Sequence, residues 1–365
     1  MKKLFADEHI NNARQSEMDW ARGLAVIFMI FVHVKSVMLD FQTPAIYAKI
    51  VEFCGGPLAA PVFMALLGAG IVYSRSSTPQ KLATRGLILL GVHYLLNFFH
   101  SGLPDLVMYA RTKDALYIED FWIYTFGVDI LAFAGLTFLF FALALKLKMK
   151  NLHILLVALV ISVINYLTAI PVDNLALGAV LGLFFHVNDY AYFAFASWIW
   201  YPVMGYVFGT FMIRCKDKKV FYGYAFAFSA LVLILETLSM RKYGFDIWSM
   251  HTGMKNDYFF QDFMSNIFVT AIFFVWMSIL YFVSSKKIFD LPGKVVSRWS
   301  RNVTVIYIFQ WLIIGWVFVL ELVDLPVTAL ACTITGVIVV VLSDTLAWLC
   351  KKGMEKRGSR RGGFA

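Results

Sequence analysis

The sequence predicts an all-α protein that crosses a lipid bilayer many times. Of its 365 residues, 60% are hydrophobic and only 15% are charged, whereas soluble domains carry about a quarter charged residues. Several apolar runs reach the roughly 20 residues that a helix needs to cross the hydrocarbon layer. We find no runs that alternate polar and apolar residues as the strands of a membrane barrel do, so the spans should be helical.

We predict about ten transmembrane helices from the apolar runs. They lie at 19–39, 56–74, 84–99, 122–145, 152–171, 191–213, 220–240, 263–284, 302–321 and 326–349. The apolar stretch 175–187 is shorter than a span and fits a re-entrant or interfacial segment, or an extension of its neighbour. We see no internal repeat. Residues 19–350 are therefore predicted to form a single transmembrane domain, between a polar N-terminal lead-in at 1–18 and a basic tail at 351–365.

Positive charge marks alternate connections between the predicted spans. The connections at 75–85, 146–150, 214–219 and 286–301 are basic, as is the C-terminal tail, whereas those at 105–120, 173–189, 241–262 and 321–324 are neutral or acidic. Because cytoplasmic loops are enriched in Lys and Arg, both termini are predicted to be cytoplasmic in a protein of the cell membrane. The net charge of +9 then reports orientation, not nucleic-acid binding.

The first predicted span carries three polar residues, Asp19, Arg22 and His33. Such groups are costly in hydrocarbon, which makes each one a functional candidate. Arg22 and His33 are eleven residues apart, about three turns, so they project from one helix face about 16 Å apart along the axis. Asp19 lies one turn before Arg22 and could orient it. Taken singly, Arg22 fits a snorkelling anchor and His33 a histidine bonded to a neighbouring helix, but their shared face favours a functional pair.

Three further polar residues are predicted at a similar depth: His93 in the third span, Asp129 in the fourth and Gln310 in the ninth. An aspartate and two histidines at one level suggest a general base whose imidazole tautomer is fixed by the carboxylate. The alternative is that Asp129 satisfies another buried donor. We take His33 and Asp129 as the candidate catalytic residues.

The start of the first span resembles a known family. It reads D-x-x-R-G-L-A, with a histidine eleven residues after the arginine. This pattern resembles the membrane acyltransferases of the acyltransferase-3 type and, more closely, the heparan-α-glucosaminide N-acetyltransferase-like proteins. Four further stretches resemble the second group in the same order: GGPLAAPVFMALLGAGIVYSRS, FGVDILAFAGLTFLFFAL, YFAFASWIWYPVMGYVFG and SRNVTVIYIFQWLI. The R-x-x-R of the acyltransferase-3 basic loop is absent.

The resemblance implies transfer of an acyl group, usually acetyl, from cytoplasmic acyl-CoA to a hydroxyl or amine of a sugar or glycoconjugate. It places His33 at the chemistry, as base or acyl carrier, with Arg22 nearby. Guanidinium groups suit the phosphates of coenzyme A, although each could instead only set the topology. The candidates at the cytoplasmic boundary are Arg22, Arg75, Arg85, Arg298 and Arg301. Nothing calls for a metal, and the acceptor, the acyl chain and the oligomeric state stay open.

A membrane transporter or flippase for a small polar or lipid-linked substrate is the alternative function. Polar residues at mid-membrane, Pro61 and Pro202 within predicted spans and the short segment 175–187 are typical of transport pathways. The lack of repeated halves and the position of Arg22 and His33 on one helix favour the enzyme.

Overall fold

The computed structural model describes residues 4–38, 45–167, 171–242, 258–286, 288, 290–320 and 328–361. Within these ranges the chain is mostly helical, and the one pairing of extended backbone is an isolated antiparallel bridge between Phe5 and Cys215. Eight helical stretches of the described chain are long and apolar enough to cross a membrane. The predicted class, an all-α polytopic membrane protein, is confirmed.

Fifteen α-helices and two π-helical turns follow one another along the described residues. The helices are α1 (Ser16–Met38), α2 (Ala45–Gly55), α3 (Ala60–Tyr73), α4 (Pro79–Asn97), α5 (Leu103–Thr112), α6 (Leu116–Phe126), α7 (Ile130–Lys146), α8 (Asn151–Leu167), α9 (Leu175–Gly182), α10 (Phe195–Trp198), α11 (Trp200–Met212), α12 (Lys218–Lys242), α13 (Phe263–Ser284), α14 (Asp290–Ile314) and α15 (Ala329–Arg361). A first π-turn (Phe98–Gly102) joins α4 to α5, and a second π-turn (Gly315–Val319) extends α14.

The eight long stretches account for eight of the ten predicted spans. They are Ser16–Met38, Ile46–Tyr73, Pro79–Thr112, Leu116–Lys146, Lys218–Ser239, Phe263–Ser284, Asp290–Val319 and Ala329–Met354. The other two predicted spans correspond to shorter helices: α8 has 17 residues and α11 has 13. The stretch 175–187 contains only the eight-residue helix α9, which is too short to cross a bilayer.

Both prolines that the transporter alternative relied on lie in first turns of helices. Pro61 is at the start of α3, and Pro202 is the third residue of α11. The first turn of a helix needs no backbone N–H from these positions, so proline begins a helix there without kinking it. Each proline follows an interruption of its helical stretch, because α2 ends at Gly55 before Pro61 and α10 ends at Trp198 before Pro202.

The basic connections gather at one end of the helix bundle, which we call the basic end. Lys218 forms an ion pair with Glu17, and Ser300 donates a hydrogen bond of 3.0 Å to Asp19. The N-terminal lead-in is bound there too, because the Ala6 N–H donates to the carbonyl of Arg214 over 2.8 Å. Arg301 of α14 and Lys351 of α15 line one cavity. The start of α1 and the C-terminal part of α15 therefore lie on the same side, as an even number of spans requires. Residues 243–257 and 321–327, within two of the predicted outer connections, lie outside the described residues.

Helices α3 and α11 cross with their backbones in contact. A Cβ atom on Gly68 would overlap the Pro202 carbonyl, and one on Gly205 would overlap the Ala65 carbonyl. Gly205 and Gly209 form a G-x-x-x-G pattern, which allows close helix approach in membranes. Since α3 also forms a wall of the cavity described next, this crossing fixes the position of that wall.

Candidate active site

A cavity of about 330 Å³ lies among α1, α3, α4, α7 and α14. Arg22, Arg85 and Ser300 line it near the basic end, and Met29 and Tyr307 line it deeper in the bundle. Met29 and Tyr307 each follow a residue at the mouth by seven positions, which is about 10 Å along a helix. The remaining lining, from α3 and α7, is largely apolar and aromatic. A cationic mouth leading to an apolar interior suits a ligand with a charged head and a long, thin arm.

The sequence motif at the start of α1 builds the mouth of this cavity. Arg22 donates a hydrogen bond of 3.3 Å to the Leu66 carbonyl of α3. Asp19 does not hydrogen-bond Arg22, as the sequence had suggested it could. Its carboxylate accepts instead from Nε and Nη2 of Arg14 and from Ser300 Oγ. The motif glycine, Gly23, lets α1 approach α14, because a Cβ atom there would overlap the Val296 carbonyl.

His33 lies one turn beyond the inner end of the cavity. Its Nδ1 is 3.0 Å from Nε2 and 3.3 Å from Oε1 of the Gln310 amide, which can donate or accept according to the histidine tautomer. Its ring packs against Trp311 with the centroids 4.3 Å apart. Gln310 and Trp311, both on α14, therefore contact the imidazole at Nδ1 and at its ring.

Asp129 lies at the centre of a second buried group of polar side chains. Its Oδ1 lies 2.9 Å from His93 Nδ1 and accepts from the Leu131 N–H over 2.8 Å, while its Oδ2 accepts from the Tyr307 hydroxyl over 2.6 Å. The histidine that contacts this carboxylate is therefore His93, whereas His33 contacts Gln310. The side chain of His93 is completely buried, and its Nε2 has no hydrogen-bond partner among the described residues.

Helix α14 connects the two groups. Tyr307 and Gln310 are three residues apart, so they lie on neighbouring positions of one face. Tyr307 holds Asp129 and lines the cavity, and Gln310 holds His33. The structure thus brings all four predicted mid-membrane residues into one polar centre at the inner end of the cavity.

The two π-turns pack against each other beside this centre. A Cβ atom on Gly315 would overlap the His100 carbonyl, and Trp316 Nε1 donates a hydrogen bond of 2.9 Å to the Phe99 carbonyl. The His100 ring stacks on Trp311 at 5.0 Å, so Trp311 contacts two imidazoles. Widened turns of this kind are frequent at functional sites because they re-aim side chains within a helix.

The five candidate arginines separate into three places. Arg22 and Arg85 line the cavity, Arg75 is exposed on the connection between α3 and α4, and Arg298 and Arg301 line a different cavity between α14 and α15. The sequence-based set is therefore too broad for one phosphate site.

Sequence reasoning missed Tyr307, Trp311 and His100. Tyr307 could have been found, because it lies one turn before Gln310 and its hydroxyl has to meet a partner inside the membrane. Trp311 could not be separated from the many aromatic residues that mark membrane interfaces. His100 depends on the π-turn, for which the sequence offers no signal.

A protein-family model matches more than half of the chain. The model of the catalytic domain of heparan-alpha-glucosaminide N-acetyltransferase matches residues 14–245 of the chain. The chain belongs to this family. The matched region contains Arg22, His33, His93 and Asp129, whereas Tyr307 and Gln310 of α14 lie beyond it. No curated protein and no solved structure matches the chain. Family and fold together make it a multi-pass membrane protein of an acetyltransferase family.

Proposed function

We propose that this protein transfers an acetyl group from cytoplasmic acetyl-CoA to a hydroxyl or amine of a sugar or glycoconjugate. The observation that carries the proposal is the cavity of about 330 Å³. It runs from two arginines at the basic end to the polar centre of His33, Gln310, Tyr307, Asp129 and His93. Membership in an acetyltransferase family supports the same reaction class.

The donor occupies the cavity in this proposal. Arg22 and Arg85 bind phosphate groups of coenzyme A, since guanidinium forms paired hydrogen bonds with phosphate oxygens. Arg75, in the connection that leads to Arg85, is a further candidate. The pantetheine arm lies along the apolar walls. The separation of about 16 Å between Arg22 and His33 along α1 suits that arm, so the thioester reaches the inner end of the cavity.

His33 carries out the transfer. As a base, its Nε2 takes the proton of the acceptor O–H or N–H while the acceptor attacks the thioester carbonyl. The C–S bond then breaks, and the imidazolium returns that proton to the coenzyme A thiolate. As an acyl carrier, Nε2 attacks the thioester carbonyl itself, the C–S bond breaks and coenzyme A leaves as the thiolate. The acceptor then displaces the imidazole from the acyl group, and the proton that the acceptor loses neutralises the thiolate. Gln310 holds Nδ1 in either case. Asp129, with His93 and Tyr307, is a positioning group that orders α14 and so the residue that holds His33.

Radiolabelled acetyl-CoA offered to the purified protein in detergent tests the proposal. We expect His33→Ala to abolish both coenzyme A release and any label on the protein, because no other group replaces Nε2. His153→Ala is the matched control, since His153 is an exposed histidine on α8. Label retained on the wild-type chain identifies the acyl carrier, whereas coenzyme A release without retained label identifies the base.

Two results would contradict the proposal. Equal coenzyme A release by wild type and His33→Ala would remove His33 from the chemistry. If calorimetry shows that the wild-type protein does not bind acetyl-CoA, then acetyl-CoA is not the donor. Binding should also weaken in Arg22→Gln and Arg85→Gln, because each loses a phosphate contact at the mouth of the cavity.

A further inference from the structure

A second cavity, of about 360 Å³, lies at the basic end between α14 and α15. It is lined by Arg298, Arg301, Asn302, Trp348, Lys351 and Lys352. Of its four cations, Arg298 forms an ion pair with Asp344, which leaves three positive charges in excess. Like charges held this close repel one another, so an anion bound among them lowers the free energy of the arrangement.

This second cavity is distinct from the cavity proposed for acetyl-CoA, because no residue lines both of them. Each residue of an α-helix is rotated by about 100° from the one before. Ser300, Thr304 and Tyr307 therefore share one face of α14. Arg298 lies on the roughly opposite face, and Arg301 lies about a quarter of a turn from Ser300. A coenzyme A molecule whose arm lies against Tyr307 would have to wrap around α14 to place its phosphates on Arg298.

The side of the second cavity toward the membrane is apolar. Helix α15 exposes Val341, Leu342 and Leu349 there. Trp348 lies between this surface and the cations, and the ammonium group of Lys352 lies 4.7 Å from its ring centroid. Tryptophan favours the depth of lipid headgroups, so the level of Trp348 marks the membrane surface. Along α15, Lys351 and Lys352 follow Trp348, and the exposed side chains of Val341 and Leu342 precede it. This order matches the charged and apolar parts of a phospholipid.

We propose that the second cavity binds the phosphate headgroup of an anionic phospholipid, with the acyl chains lying along α15. The guanidinium of Arg301 and the ammonium groups of Lys351 and Lys352 contact the phosphate, and Asn302 adds an amide donor. Basic pockets between membrane helices on the cytoplasmic side bind such headgroups. This site is independent of the proposed acetyl transfer, and its ligand is held without being changed.

Binding of short-chain phosphatidylglycerol to the full-length protein in neutral detergent, followed by native mass spectrometry, tests this site. We expect phosphatidylglycerol to bind in preference to phosphatidylcholine of the same chain length. The double substitution Arg301→Gln and Lys351→Gln should weaken its binding roughly tenfold or more, because two surface cations are lost. It leaves the pair of Arg298 with Asp344 intact. The charge-keeping double substitution Arg301→Lys and Lys351→Arg should bind nearly as wild type.

A matched control variant separates binding in the second cavity from general attraction of the lipid to positive charge. Lys146→Gln with Lys150→Gln removes the same charge from exposed lysines elsewhere at the basic end and should leave phosphatidylglycerol binding unchanged. The proposal is overturned if both double-Gln variants weaken phosphatidylglycerol binding equally. It is also overturned if phosphatidylcholine binds to the wild-type protein as tightly as phosphatidylglycerol does. A third contrary result is that the Arg301→Gln, Lys351→Gln variant binds acetyl-CoA or inorganic phosphate more weakly but binds the lipid as the wild type does. The second cavity would then hold a soluble phosphate.

Discussion

The side chain of Asp129 caps the start of a helix and also belongs to the polar centre. Its Oδ1 caps α7 through the Leu131 N–H, as aspartate commonly does at helix starts. The same carboxylate contacts His93 and accepts from Tyr307. The sequence grouped Asp129 with the two histidines and Gln310 by depth but could not name its partner, because depth follows from helix rise whereas partners follow from how helices are rotated against one another.

The substitution Asp129→Asn should separate the cap of α7 from the contact with His93. An amide oxygen still caps α7 but carries no charge for His93, so we expect coenzyme A release to fall roughly tenfold or more. Asp129→Ala should lower the unfolding free energy by about a further 1 kcal/mol, because it also removes the cap. Thermal unfolding in detergent and coenzyme A release measure the two effects.

The corresponding change at another capping aspartate is the control. Asp262 caps α13 through the Ser265 N–H over 2.8 Å, outside the polar centre. Asp262→Asn should leave coenzyme A release near the wild-type rate. A similar loss of activity in both variants would mean that Asp129 acts only through the stability of the fold.

The sequence predicted which transmembrane helices form far better than which of these helices contact one another. Long apolar runs identified α1, α12, α13 and α15 because length and hydropathy alone decide whether a segment crosses lipid. The crossing of α3 and α11 was not predicted, since small residues permit close approach but do not say which helix approaches. The π-turns were missed as well, because an inserted residue leaves the apolar run unchanged.

The substitution Gly205→Ala should push α11 away from α3. Its Cβ atom would overlap the backbone carbonyl of Ala65, which cannot move without shifting α3. We expect a loss of about 1–3 kcal/mol, the usual cost of overpacking, seen as a lower unfolding temperature in detergent. Because α3 lines the cavity, acetyl-CoA affinity should fall as well.

Gly91→Ala and Gly223→Ala are the matched controls for Gly205→Ala. A Cβ atom at either position meets no atom within 4 Å, and both glycines lie within helices. Alanine there should leave stability unchanged or raise it slightly, since it is the better helix former. If Gly205→Ala behaves like these two variants, α3 and α11 are not in backbone contact.

The arrangement of charge over the whole molecule decides from which side acetyl-CoA can enter. The structure gathers the basic connections at one end, and the positive-inside rule assigns that end to the cytoplasm. Labelling of a Cys54→Ser variant with a membrane-impermeant maleimide tests the assignment, because Cys350 is exposed at the basic end, Cys215 and Cys332 are buried, and the half-buried Cys54 has been removed. Burial also raises the pKa of the Cys215 thiol, which slows its reaction.

In sealed vesicles, Cys350 should be labelled only when the cytoplasmic face points outward, and Cys350→Ser should remove that signal. Ala115→Cys, made in the Cys350→Ser background, should be labelled only in vesicles of the opposite orientation, since Ala115 is exposed in the predicted outer connection. Labelling of both positions from one side would contradict the topology. A reversed pattern would place Arg22 and Arg85 on the outer face, away from cytoplasmic acetyl-CoA, and the proposed donor would fail along with the orientation.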